Sequence, residues 1–83
     1  MSIEDVQVQI VSATETANQA AVAYDVAARA ATESSEQLMM MSAVGAAQNI
    51  SQAAQLLRDA CDAIRLATDK ANEANTYADA AKQ

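Results

Sequence analysis

The residues that could carry chemistry are few, and none stands beside the partner that its chemistry requires. Cys61 is the only cysteine, and the 83 residues contain no histidine. A nucleophilic thiolate needs a base or a positive environment, whereas Cys61 lies between Ala60 and Asp62. We therefore interpret Cys61 as a small packing residue. A lone cysteine also fits a reducing compartment.

The acidic residues do not suggest a catalytic or metal site either. Glu4 and Asp5 are adjacent, so they point in different directions from a helix. Asp59 and Asp62 lie three residues apart, but the flanking arginines favour surface ion pairs. A single glycine cannot form a phosphate-binding loop. We predict that the protein is not an enzyme and has no cofactor, no metal site and no small-molecule substrate.

Charge and composition narrow the class of partner. The formal net charge is −6, and such a surface repels nucleic-acid backbones and anionic lipid headgroups. No stretch approaches the ~20 apolar residues of a membrane span. Glu4 and Asp5 stand where a secretory signal peptide would be basic. We predict a cytoplasmic protein that binds no nucleic acid, with signal-independent secretion left open.

Helix formation is the strongest prediction, because the chain has no proline, one glycine and 22 alanines. Ser2 and Asp5 have the spacing of a capping box. Small and apolar residues then recur every seven positions, which predicts a close-packed seam between helices. In the first half the two predicted seam rows are Ile3, Ile10, Ala17, Tyr24, Ala31, Leu38 and Val6, Ala13, Ala20, Ala27, Ser34, Met41. In the second half they are Ile50, Leu57, Ile64, Ala71, Ala78 and Ala53, Ala60, Ala67, Ala74, Ala81.

The repeat breaks once, which predicts a single all-α domain: a long antiparallel two-helix hairpin. We place helix 1 at about 3–40, the turn at about 40–46 around Gly45, and helix 2 at about 46–81. A turn at 33–36 is the alternative. An alanine-rich seam buries little area, so we expect the hairpin to dimerise into a four-helix bundle. The predicted core is Ile3, Val6, Ile10, Tyr24, Leu38, Ile50, Leu57, Cys61 and Ile64.

Other apolar residues fall outside these rows and predict a second contact surface. Four valines form an outer stripe on helix 1, Leu66 lies among charges on helix 2, and methionines cluster near the turn. Methionine suits adaptable contact surfaces. The predicted interface residues are Val8, Val11, Val22, Val26, Leu66, Met39 and Met40.

Two resemblances accompany this prediction. The stretch 41–50, followed by Leu56–Ala60 and by Ala63 and Ile64, resembles small alanine-rich actinobacterial proteins of unknown function. The overall plan is similar to WXG/Esx-type helical hairpins. In that family a Trp-x-Gly turn would occupy Ala43–Gly45, and an acidic residue would stand four positions after Tyr77, where this chain has Ala81. The resemblances imply a helical hairpin and, for the second family, export.

The predicted function is a non-enzymatic protein–protein interaction module that self-associates. Two alternatives stay open: an Esx-like exported effector or partner protein, and a hydration-type helical protein that orders only under some conditions.

Overall fold

Two helices of equal length make up most of the described part of the chain. The computed structural model describes residues 2–82. Helix α1 spans Ile3–Met40 and helix α2 spans Val44–Ala81, with 38 residues each. They lie side by side in a hairpin measuring 63 × 14 × 14 Å. The predicted all-α, two-helix hairpin is confirmed.

Helix α1 begins at the predicted capping box. The Ser2 hydroxyl accepts a hydrogen bond from the Asp5 backbone N–H at 3.1 Å. The Asp5 carboxylate accepts one from the Ser2 backbone N–H at 3.2 Å. The two bonds satisfy backbone donors that the first helical turn would otherwise leave free, and so fix where the helix starts.

The turn consists of Met41, Ser42 and Ala43. Two backbone bonds close the end of α1, from Ser42 N–H to Met39 O and from Ala43 N–H to Leu38 O, both at 2.9 Å. This closure requires one residue in the left-handed region, and that residue is Ser42, with φ 62°. The expectation that Gly45 makes the reversal is wrong, because Gly45 lies inside α2 with a negative φ. The alternative turn at 33–36 is also wrong, since those residues lie inside α1.

Two hydrogen bonds across the seam set the antiparallel register. The Ser35 hydroxyl donates to the Ala47 carbonyl at 2.8 Å, and the Cys61 thiol donates to the Ala21 carbonyl at 3.3 Å. In both pairs the residue numbers add up to 82. The same register places Ala28 opposite Ala54, and each of these is only 1% exposed. Alanine opposite alanine lets the two backbones approach closely.

Every seventh residue from Ile3 in α1, and from Ile50 in α2, faces the seam as predicted. The second row differs from the prediction by one position in both helices. The rows that complete the seam are Gln7, Thr14, Ala21, Ala28, Ser35 in α1 and Ala47, Ala54, Cys61, Thr68, Asn75 in α2. The predicted second rows, headed by Val6 and Ala53, lie outside the seam, with only Ala20 and Ala60 half-buried.

The two threonines of the true seam rows are tolerated because their hydroxyls find acceptors. Thr14 donates to the Ile10 carbonyl at 2.8 Å, and Thr68 donates to the Ile64 carbonyl at 3.0 Å. A hydroxyl that bonds the preceding turn of its own helix costs little on burial. The polar rows can therefore occupy the seam while more apolar rows remain outside it.

The core contains no large side chain that is fully buried within residues 2–82. Its buried members are Ala21, Ala28, Ala47, Ala54 and Cys61. Most predicted core residues line this seam half-buried, but Val6 and Tyr24 are exposed. Val6 belongs to a row that the seam does not use. Tyr24 is in a seam row, but a seam spaced by alanines has no room to cover its ring.

Candidate interaction surface

The side chains that could take part in catalysis or metal binding make structural contacts instead. Cys61 is 3% exposed and its thiol points at a backbone carbonyl, in keeping with a packing residue. Asp59 accepts a hydrogen bond from the Gln55 amide at 3.0 Å, and Asp5 belongs to the capping box. Within residues 2–82, no group of three or more His, Cys, Asp or Glu side chains lies close enough to hold a metal ion.

The predicted interface residues are all exposed, but the structure does not gather them into one surface. Val8 and Val11 are separated from Val22 and Val26 by a helical stretch that contains Glu15. The remaining three lie elsewhere: Leu66 is on the other helix, and Met39 and Met40 are at the turn end of the hairpin.

The turn end carries a cluster of apolar side chains. Met40 is 85% exposed, and Met39 and Met41 are also exposed. A shallow groove of about 140 Å³ between Ser35, Met39, Ala47, Gln48 and Ser51 opens beside the cluster. This volume is well below the ~300 Å³ that ligand pockets usually have.

The two long sides of the hairpin differ in chemistry. One side, which we call the polar edge, runs along residues 4, 11, 18, 25, 32 and 39 of α1 and 44, 51, 58, 65, 72 and 79 of α2. Side-chain contacts cross between the helices here. They are Arg58 to Thr32 at 2.6 Å, Gln7 to Asp79 at 2.9 Å, and Lys82 to Glu4 at 3.9 Å. Because both Thr32 and Arg58 belong to these rows, the two polar-edge rows lie next to each other.

The opposite side therefore brings together the rows on the other flank of each seam, and we call it the alanine face. Its inner rows are Val6, Ala13, Ala20, Ala27, Ser34, Met41 and Ala46, Ala53, Ala60, Ala67, Ala74, Ala81. Its outer rows are Gln9, Thr16, Ala23, Ala30, Gln37 and Asn49, Leu56, Ala63, Lys70, Tyr77. Lys70 is the one charged residue among them, and it pairs with Glu73 at 3.9 Å.

Sequence reasoning missed this face because it assigned the unbroken alanine row of α2 to the seam. The distribution of charged residues in the sequence already sets this face apart. The chain has five basic and eleven acidic residues, and all of them except Lys70 fall outside the four rows. The alanine face therefore carries far less charge than the rest of the hairpin surface.

No protein-family model, curated protein or solved structure matches this chain. Across residues 2–82, neither helix combines the length and apolarity that crossing a membrane requires.

Proposed function

We propose that the protein is a non-enzymatic helical module for protein–protein contact, which self-associates as a dimer of hairpins in a four-helix bundle. The free Cys61 is consistent with a cytoplasmic, reducing setting. The proposal rests on how incompletely one hairpin buries its own apolar residues.

The accessible surface carries this proposal. One chain exposes 5857 Å². A compact monomer of 8.7 kDa exposes only about 4,700 Å². The excess is thus about 1,100 Å², which exceeds the ~800 Å² that each partner buries in a stable complex. A second hairpin is the simplest way to cover this surface.

The composition of the core supports the same conclusion. Only alanines and one cysteine are buried among the described residues, while the valines, both tyrosines, Leu56, Leu66 and Met39–Met41 remain exposed. Hydrophobic stabilisation scales with the apolar area removed from water, at roughly 25 cal/mol per Å². An alanine seam alone buries little apolar area, whereas ordering more than 70 residues into helix loses a large conformational entropy. Association adds the missing burial.

Sedimentation equilibrium combined with far-UV circular dichroism tests the proposal. Equilibrium mass is independent of shape, which matters for a particle 63 Å long and 14 Å wide. We expect a helical species of about 17 kDa, twice the 8.7 kDa of one chain, that dissociates on dilution. A fully helical monomer at every concentration would contradict self-association. A chain that is coil at every concentration would favour the hydration-type function instead.

A further inference from the structure

We propose that the alanine face is the surface on which a second copy of the chain docks, so that two hairpins pack face to face. This inference rests on the proposed self-association and specifies its interface. It places the interface on the side of the molecule opposite the outer valine stripe, which the sequence predicted as a contact surface.

The distribution of charge selects this face for a copy of the same chain. Outside the alanine face lie all eleven acidic residues but only four basic ones, Arg29, Arg58, Arg65 and Lys82, a net charge of −7. Two copies that met through the charged side would bring two such surfaces together, and like charges in contact are strongly unfavourable. Docking through the alanine face keeps both charged sides in solvent.

The outer valine stripe fails on the same criterion. Between Val11 and Val22, the same side of α1 carries Glu15. Beside Val22 and Val26 lie Asp25 and Arg29, paired at 2.9 Å. Burial of this stripe against a second copy would bury charges, whereas the inner rows of the alanine face contain none.

Each helix has more rows of small and apolar residues than the seam of one hairpin covers. A helix of a globular bundle commonly has an apolar stripe three rows wide. Here the hairpin seam covers two rows of each helix, and the third row, which runs from Val6 in α1 and from Ala46 in α2, stays on the surface. In α2 this third row is alanine at every position from 46 to 81. Small side chains at heptad spacing let a further pair of helices approach closely.

The dimensions of the face meet the requirement of a stable dimer. A side of 63 × 14 Å has a projected area of about 900 Å², slightly above the ~800 Å² typical of each partner. Larger exposed side chains lie on the face at two levels and supply anchors there: Val6 and Tyr77 near the free ends of the helices, and Leu56 near the middle. A two-fold axis through the face would give both copies the same contacts.

A matched pair of double variants tests the assignment by sedimentation equilibrium. Ala23→Glu with Ala63→Glu places two charges on the alanine face, at positions that are exposed in the single hairpin. Val22→Glu with Val26→Glu places the same two charges on the opposite flank. We expect the alanine pair to raise the dimer dissociation constant by at least about 100-fold and the valine pair by less than about threefold.

A third variant and circular dichroism separate docking from folding. Ala23→Ser with Ala63→Ser keeps the residues small and uncharged, and we expect it to remain a helical dimer. If the glutamate pair loses both its dimer and its helicity while the valine pair stays a helical dimer, folding depends on the alanine face, which supports the proposal.

Two results would overturn it. If the wild-type chain dimerises and the alanine-to-glutamate pair dimerises equally well, the alanine face is not the interface, although self-association stands. If the wild-type chain is monomeric throughout, self-association itself fails. Salt provides an independent check. Docking through the alanine face predicts a dissociation constant that changes little with ionic strength, whereas contact between the charged sides would tighten markedly as salt is added.

Discussion

Ala54→Leu is the most direct test of how closely the two helices pack. Ala54 and the facing Ala28 are each 1% exposed, so a larger side chain at either position must be placed against the opposite helix and not in solvent. Leucine adds three carbon atoms, which would stabilise the fold by about 2.4 kcal/mol if they could be buried without strain. Because there is no room, the helices must separate locally. This forfeits that gain, adds strain of about 1–3 kcal/mol and exposes the neighbouring layers.

We expect a net loss of about 2 kcal/mol in the free energy of unfolding, and a melting temperature lower by about 8–16 °C for a chain of this size. Thermal unfolding followed by far-UV circular dichroism, at one fixed protein concentration, measures the effect. Gln52→Leu is the matched control. It introduces the same side chain two residues earlier in α2, at an exposed position, and its effect should stay within about 0.5 kcal/mol. If Ala54→Leu is as stable as this control, the seam is not close-packed at its centre.

Two further predictions concern single residues. Ser42→Gly should stabilise the hairpin by about 0.5–1 kcal/mol, because φ 62° is unfavourable for serine and not for glycine. Urea unfolding of this variant, with Ser42→Ala as the control, measures the change. An unchanged midpoint for the glycine variant would argue against a left-handed residue at position 42. Asn75→Ala should be neutral or stabilise by up to about 1 kcal/mol, because its side-chain oxygen is buried in the seam without a hydrogen-bond donor. A loss above about 1 kcal/mol in the same urea assay would mean that Asn75 makes a bond absent from this structure.

The helices and the hairpin follow from the sequence because they depend on local properties. A chain without proline and with a seven-residue repeat forms helix over nearly its full length, and Ser2 with Asp5 marks its start. The position of the break is also local. The identity of the turn residue is harder to predict from local sequence, because serine and glycine can both adopt the left-handed conformation. Only the closing hydrogen bonds reveal which one does.

The choice of seam row does not follow from local properties. Rows three and four residues from the Ile3 row lie on its two sides, and each can complete a seam. Apolarity favours the rows headed by Val6 and Ala53, but the structure uses those headed by Gln7 and Ala47. The choice of seam row depends on contacts between pairs of residues on the two helices. Ser35 and Cys61 reach backbone carbonyls of the facing helix, and no property of one helix alone predicts that.

The register of the hairpin has a consequence for how the chain folds. The contact between Ser35 and Ala47 closes a loop of 12 residues, that between Ala21 and Cys61 one of 40, and that between Gln7 and Asp79 one of 72. Each layer closed near the turn shortens the loop that the next layer must close, so the entropic cost of pairing stays low only if the helices zip from the turn outward. We expect folding to begin around Ser42, and amide hydrogens near the free ends of the helices to exchange with solvent before those close to the turn.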